Sequence, residues 1–151
     1  MGWAARQHPA PMPSILQKQA ALVDEFAADG DWQARYARII AKARGLPAMP
    51  DALKTEEKKV RGCSSTVWLH AECAAGIVTY QADSDAVLVR GLVALLLEVY
   101  SGHPAREILA AEPAFIEELG LDVNLSPNRA NGLTAMVRQL KTDAAACLAS
   151  A

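Results

Sequence analysis

From Ser14 onward the apolar positions recur with a helical period. Ile15, Leu16, Leu22, Val23 and Phe26 fall largely on one face, and Ser14 with Gln17 has the spacing of a capping box. A second helix is predicted from Asp31 to Arg44, with Trp32, Tyr36, Ile39, Ile40 and Ala43 inward and Gly45-Leu46-Pro47 ending it. After Pro50 and Asp51 the period shortens to that of strands. Thr66 to Cys73 and Ile77 to Gln81 form a predicted hairpin about Ala74-Ala75-Gly76, and Lys59 to Gly62 is predicted to pair as a third strand. Ser84 or Asp83 then caps a strongly apolar helix from Asp85 to about Tyr100. Shorter helices are expected at Pro104 to Ala111 and Pro113 to Leu119, with Gly120 as a stop. Ser126-Pro127 opens a final helix carrying one apolar stripe through Leu133, Met136, Val137, Leu140, Ala144, Cys147 and Leu148.

Composition narrows the classes of function. A chain of 151 residues with 52% hydrophobic content supports one domain with a real core and is too short for two ordinary ones. A net charge of -2 with mixed signs provides no basic field, so nucleic acid is not an expected partner. The longest apolar run, around Leu92 to Leu97, is closed by Glu98 and is far too short to span a bilayer. Residues 1–13, rich in proline and alanine, lack a signal peptide's apolar centre and read as a flexible extension before a single domain, 14–151. The expectation is a cytoplasmic protein, since the 3 cysteines are widely spaced and suit a reducing compartment better than a disulfide framework.

Candidate chemistry concentrates on Cys63. Cys147 lies on the last helix's apolar stripe, and Cys73 shares the alternating face of Val67, Leu69 and Ala71, so both read as packing residues. Cys63 belongs to no apolar period, and its local sequence reads either as an inert cysteine buried at a strand end or as a reactive thiol. It follows Gly62, which permits a tight turn, while Ser64, Ser65, Thr66 and the turn N–H groups are available to solvate a thiolate. Lys58, Lys59 and Arg61 add positive charge nearby in sequence, an arrangement expected to lower a thiol pKa. A thiol that receives sulfur from an already activated donor needs no dedicated base. His8, His70 and His103 are dispersed without metal-ligand spacing, so no metal is expected; His70 reads as a partly exposed strand residue and His103 as a helix-start residue.

Two other segments are chemically uneven. Ser126-Pro127-Asn128-Arg129-Ala130-Asn131-Gly132 is poor helix sequence, and Arg129 in a first turn opposes the helix dipole; the segment reads either as a solvated turn with glycine for close packing or as one whose Arg129 meets a partner's carboxylate. Asp83-Ser84-Asp85 reads first as a cap followed by a dipole-favourable acid, with Asp85 able to place negative charge near the cysteine loop. Gly91 is expected to allow close approach of its helix to the loop or the sheet.

Three separated segments together resemble the SufE/CsdE family of sulfur acceptors: Val60-x-Gly62-Cys63-x-Ser65-x-Val67-Trp68, Ala82-Asp83-Ser84-Asp85-Ala86 with Arg90-Gly91-Leu92, and Leu125-Ser126-Pro127-x-Arg129-x-x-Gly132-Leu133-x-x-Met136. Arg35-Tyr36 with Gly45-Leu46-Pro47 is a weaker fourth, and Lys58 stands where asparagine is expected of much of the family. The resemblance implies an α+β fold, helices on a small antiparallel sheet like that of the IscU scaffolds, with Cys63 on a loop at one end. It further implies a protein that brings no cofactor of its own. Its partners would be a pyridoxal-phosphate-dependent cysteine desulfurase, which it activates, and a downstream iron–sulfur scaffold. Cys63 would carry the sulfur as a persulfide, with Arg129, Asp83, Asp85, Gly62 and Ser65 at the partner surface. The alternatives are an iron–sulfur scaffold of IscU type and a regulatory partner of the desulfurase that does not use the thiol.

Overall fold

The computed structural model describes residues 13–150, so the extension expected over 1–13 lies, apart from Pro13, outside the described residues. The capping box forms as its spacing requires. Ser14 Oγ accepts from Gln17 N at 3.1 Å and Gln17 Oε1 accepts from Ser14 N at 2.8 Å, opening α1 at Ile15–Ala27. Its buried positions are Ile15, Gln19, Leu22 and Phe26, whereas Leu16, expected on the inner face, is 72% exposed. Gln19 takes the inward place instead. Its amide donates to Glu112 O at 3.0 Å and accepts from Phe115 N at 3.0 Å, so a polar residue only 5% exposed is satisfied at both ends.

α2, Trp32–Gly45, is capped by Asp31, whose side chain accepts from Ala34 N at 2.8 Å. Ile39 and Ala43 are buried, Trp32 and Ile40 are half-buried, and Tyr36, expected inward, is exposed. Two short 3-10 turns, Asp51–Leu53 and Glu56–Lys58, lead to the cysteine loop.

β1, Val67–Ala74, and β2, Ile77–Ser84, pair antiparallel with Leu69 opposite Ala82, Ala71 opposite Tyr80 and Cys73 opposite Val78. Their two-residue loop has positive φ at both Ala75 (54°) and Gly76 (78°), the turn that matches the twist of a tight hairpin. The third strand differs from expectation. It is β3, His103–Pro104, on the far side of β2, while Lys59 makes only an isolated bridge to Trp68. His103 is accordingly a sheet residue, 3% exposed, and not a helix start.

α3, Val87–Tyr100, runs behind the sheet and is the most buried helix. No side chain caps it directly; Ala86 is the N-cap, and Ser84 Oγ accepts from Ala86 N at 3.3 Å while donating to Thr66 O at 2.7 Å. Gly91 does permit a close approach, but to α2. A Cβ there would meet the Ile39 carbonyl oxygen and lie 2.7 Å from Ile39 Cγ2. Short helices α4 (Ala105–Ala110), α5 (Phe115–Glu118) and α6 (Leu121–Asn124) follow, with Gly120 at φ 76° between the last two.

α7, Pro127–Ser150, closes the molecule, with Ser126 Oγ accepting from Arg129 N at 3.3 Å. Leu133, Met136, Val137, Leu140, Ala144 and Cys147 form its buried stripe. Tyr80 Oη donates to Leu140 O at 2.7 Å, fixing α7 to the sheet, and Lys141 Nζ donates to Leu109 O and Ala111 O at 3.1 and 2.9 Å. The result is a three-stranded antiparallel sheet with helices packed on it, an α+β fold.

Candidate functional site

Cys63 sits where the loop after the second 3-10 turn meets the N-terminal third of α7. Gly62 turns the chain with φ 92°, and a Cβ on it would lie 3.2 Å from Ala135 Cβ, so both conformation and space call for glycine. Val60 N donates to Val67 O at 2.8 Å and Asp85 N to Thr66 O at 3.4 Å, which hold the two ends of the loop. The thiol points at α7, and Cys63 Sγ donates to Gly132 O at 3.5 Å. A Cβ on Gly132 would be 3.6 Å from the sulfur. Two of the three poor helix formers at the start of α7, Asn128 and Gly132, therefore line the space around the cysteine, while Asn131 is exposed. With Ser64, Ser65, Val89, Leu92, Arg129 and Met136 those two form a narrow crevice around it.

Cys63 is the free cysteine among the described residues and is half-buried. Burial pushes its thiol pKa up, the reverse of the expected lowering by neighbouring bases. Of the neighbouring basic side chains, Lys59 Nζ reaches Glu56 at 2.6 Å and Arg61 is exposed. No hydrogen bond from Ser64, Ser65 or Thr66 to the sulfur is present among the described residues. Desolvation at the site thus favours the neutral thiol over the thiolate.

The remaining sequence candidates divide into two groups. Arg129 is exposed at the crevice edge and has no carboxylate within ion-pair distance among the described residues. Ser65 lines the same crevice, and Asp85 is exposed one residue before the α3 N-cap, with no ion pair among the described residues. Asp83 belongs to another part of the molecule. Its side chain, 15% exposed, pairs with Arg90 at 2.8 Å and Lys54 at 2.8 Å and lines a separate cleft with Arg44, Leu46 and Pro47. Burial works against its ionisation, but the Lys54, Ser84 N–H and Arg90 contacts prevail and hold the carboxyl below its ordinary value. The Lys54 ammonium also lies 5.6 Å from the Trp68 ring centroid, so this network braces the β2–α3 junction next to the cysteine loop.

Sequence reasoning missed one covalent feature. Cys73 and Cys147, read as separate packing residues, form a disulfide with Cα atoms 5.6 Å apart. The signal was present in two pieces: Cys73 on the strand face that looks toward α7, and Cys147 on the α7 stripe that looks toward the sheet. Nothing in a single chain gives the register that brings the two pieces together. A larger open cleft of about 460 Å³ between α2 and α3 holds Lys42 ion-paired to Glu25 and Glu98 and contains no nucleophile. Among the described residues no three His, Cys, Asp or Glu side chains converge as metal ligands, and no helix is long and apolar enough to cross a membrane.

Comparison with known proteins agrees with the fold. A solution structure of a hypothetical protein from Thermus thermophilus superposes with a TM-score of 0.73 at 23% identity, covering 87% of this chain and 96% of that one, and so shares the fold. An uncharacterized SufE-like protein of Rhizobium meliloti is 41% identical over 128 residues, 82% of this chain and 91% of the relative. The sulfur acceptor protein CsdE of Escherichia coli is 39% identical over 117 residues, 76% of this chain and 80% of the relative. SufE-like protein 1, chloroplastic/mitochondrial, of Arabidopsis thaliana is 38% identical over 135 residues, which are 89% of this chain but 36% of that protein. The model of the SufE family, an Fe-S metabolism associated domain, matches residues 20–144, which span the cysteine loop, the sheet and most of α7, and the chain belongs to the SufE family.

Proposed function

We propose that this protein is a sulfur acceptor for iron–sulfur cluster assembly. Cys63 takes a sulfane sulfur from the persulfide of a pyridoxal-phosphate-dependent cysteine desulfurase and passes it to a cluster scaffold. Clearing the donor's persulfide speeds the donor's turnover, which makes the protein an activator as well as a substrate. The observation that supports this most is the free Cys63 thiol set under a glycine of α7, in a chain 39% identical to a protein named a sulfur acceptor.

In the transfer, the Cys63 thiol loses its proton to solvent and the thiolate attacks the terminal sulfur of the donor persulfide, the departing cysteine thiolate taking up a proton in turn. The donor's S–S bond breaks, its cysteine leaves as a thiolate, and Cys63 becomes the persulfide, with no external oxidant or reductant consumed. Asn128, Gly132 and Ser65 shape the space around the new sulfur, Gly62 sets the loop, Arg129 presents its charge to the donor from the crevice edge, and the exposed Asp85 offers a negative charge to the same partner. Asp83 serves that surface indirectly, through the Lys54 and Arg90 network that supports it. We place the protein in the cytoplasm with its desulfurase, where the Cys73–Cys147 pair meets a reducing glutathione pool.

Intact-mass analysis and peptide mapping after mixing with a desulfurase and cysteine test the proposal. The expected result is adducts of about 32 Da per sulfur atom on Cys63, with stimulation lost in Cys63→Ser. An adduct mapped to Cys73 or Cys147 would sink the assignment. Full stimulation by Cys63→Ser would favour the regulatory-partner reading, and cluster absorbance after anaerobic incubation with iron and sulfide would favour the scaffold reading.

A further inference from the structure

The disulfide and the candidate site occupy opposite ends of one helix. Cys63 touches α7 at Gly132, whereas Cys147 lies roughly 22 Å further along at the helical rise of about 1.5 Å per residue. The two cannot exchange sulfur while α7 is intact. Between them the helix is fixed by Leu140 O, which accepts from Tyr80, and by Lys141. Beyond Lys141 the sheet contributes one further tie, the bond from Cys147 to Cys73 at the end of β1. The last turns otherwise rest on side-chain packing alone: Ala144 is buried in the core and Leu148 lines a cleft with Ala105 and Arg106, while Ala145, Ala146, Ala149 and Ser150 are exposed.

The bond is also unevenly accessible. Cys73 is exposed while Cys147 is 4% exposed, so an incoming thiolate reaches the pair from the Cys73 side. We propose that Cys73–Cys147 is a redox-sensitive staple, which when closed pins the C-terminal turns of α7 to β1 and when opened by a small thiol releases them. In the opening reaction a glutathione thiolate attacks Cys73 Sγ, the S–S bond breaks, and Cys147 leaves as a thiolate and is protonated. A second glutathione thiolate then attacks the glutathione sulfur of the mixed disulfide, freeing Cys73. The protein disulfide gains two electrons and two protons, and two glutathione molecules become one glutathione disulfide. The closed state also withdraws both other thiols from sulfur chemistry and leaves Cys63 as the single nucleophile.

The experiment equilibrates the full chain, carrying Cys63→Ser to silence the other thiol, in glutathione buffers of graded ratio. Acid-quenched mass and hydrogen exchange are then read on each sample. The expected result is a reversible change of about 2 Da between the closed and open pair, with exchange at amides 144–148 rising roughly tenfold or more on reduction and rising more than in α3. Cys73→Ser, at an exposed position, should show the open-state exchange in every buffer. The reduced unsubstituted chain provides the same reading without relying on a variant. A pair that never closes, a rise at 144–148 no larger than in α3, or closed-state exchange in Cys73→Ser would each overturn the staple. None of these readouts depends on sulfur transfer, so the staple and the acceptor role stand or fall separately.

Discussion

At Cys63 two effects compete, and burial prevails over neighbouring charge. The sequence placed three basic residues within five positions of the thiol, but Lys59 pairs with Glu56, Arg61 is exposed, and desolvation sets the direction of the shift. The folded protein therefore favours the neutral thiol. That stability is fully present below the unfolded thiol's pKa and is lost as pH rises through the higher folded value. Iodoacetamide labelling of the disulfide-closed protein should accordingly inflect above the unperturbed value of about 8.5, and an inflection below it would restore the charge-activated reading. Gly132 separates stability from chemistry. A Cβ there makes ordinary contacts of 3.6 to 3.9 Å with Cys63, and alanine is the better helix former by about 1 kcal/mol. Gly132→Ala should thus unfold no more easily than the native chain, while accepting sulfur roughly tenfold or more slowly because the methyl takes the space beside the sulfur. Transfer at the native rate would show that Gly132 serves packing alone.

Among the elements, local rules were legible where they act within a few residues. The Ser14–Gln17 box, the Asp31 cap, the Ser126 cap and the hairpin tip all form from short-range hydrogen bonds and backbone preference. Choices made by distant surfaces were not legible. Leu16 and Tyr36 fit a helical period yet face outward because the inner stripe is narrower than the apolar one, and the sheet recruits His103–Pro104 where Lys59 to Gly62 had the better strand pattern. Gly91 lies between these extremes, since its close approach was readable and its partner was not. Overpacking a core typically costs 1–3 kcal/mol and occasionally more, and here the obstruction is the backbone of Ile39, which cannot rotate aside. Gly91→Ala should therefore destabilise by about 3 kcal/mol in denaturant unfolding. A loss below about 1 kcal/mol, no more than an ordinary surface change, would mean that α2 slides on α3 without cost.

For the whole molecule, the candidate site was legible as a position and not as an environment. Cys63, Arg129 and Ser65 were identified from a glycine turn and a weak helix start, and the fold brings them to one crevice, while Asp83, grouped with them in sequence, turns to Lys54 and Arg90. Arg129 is the residue whose role the molecule alone leaves unspent. It is exposed, it opposes the dipole of its own helix, and it has no carboxylate partner among the described residues, so its removal takes little from the isolated fold. An arginine that becomes desolvated against a partner's carboxylate is worth about 2 kcal/mol or more to an interface, whereas a rim charge is worth much less. Arg129→Ala should hence weaken desulfurase binding or slow sulfur transfer by roughly tenfold or more, with the melting temperature unchanged or slightly raised. Binding and thermal unfolding measured on the same preparations decide the matter. Native binding and transfer together with a clearly lowered melting temperature would make Arg129 an intramolecular residue and remove it from the partner surface.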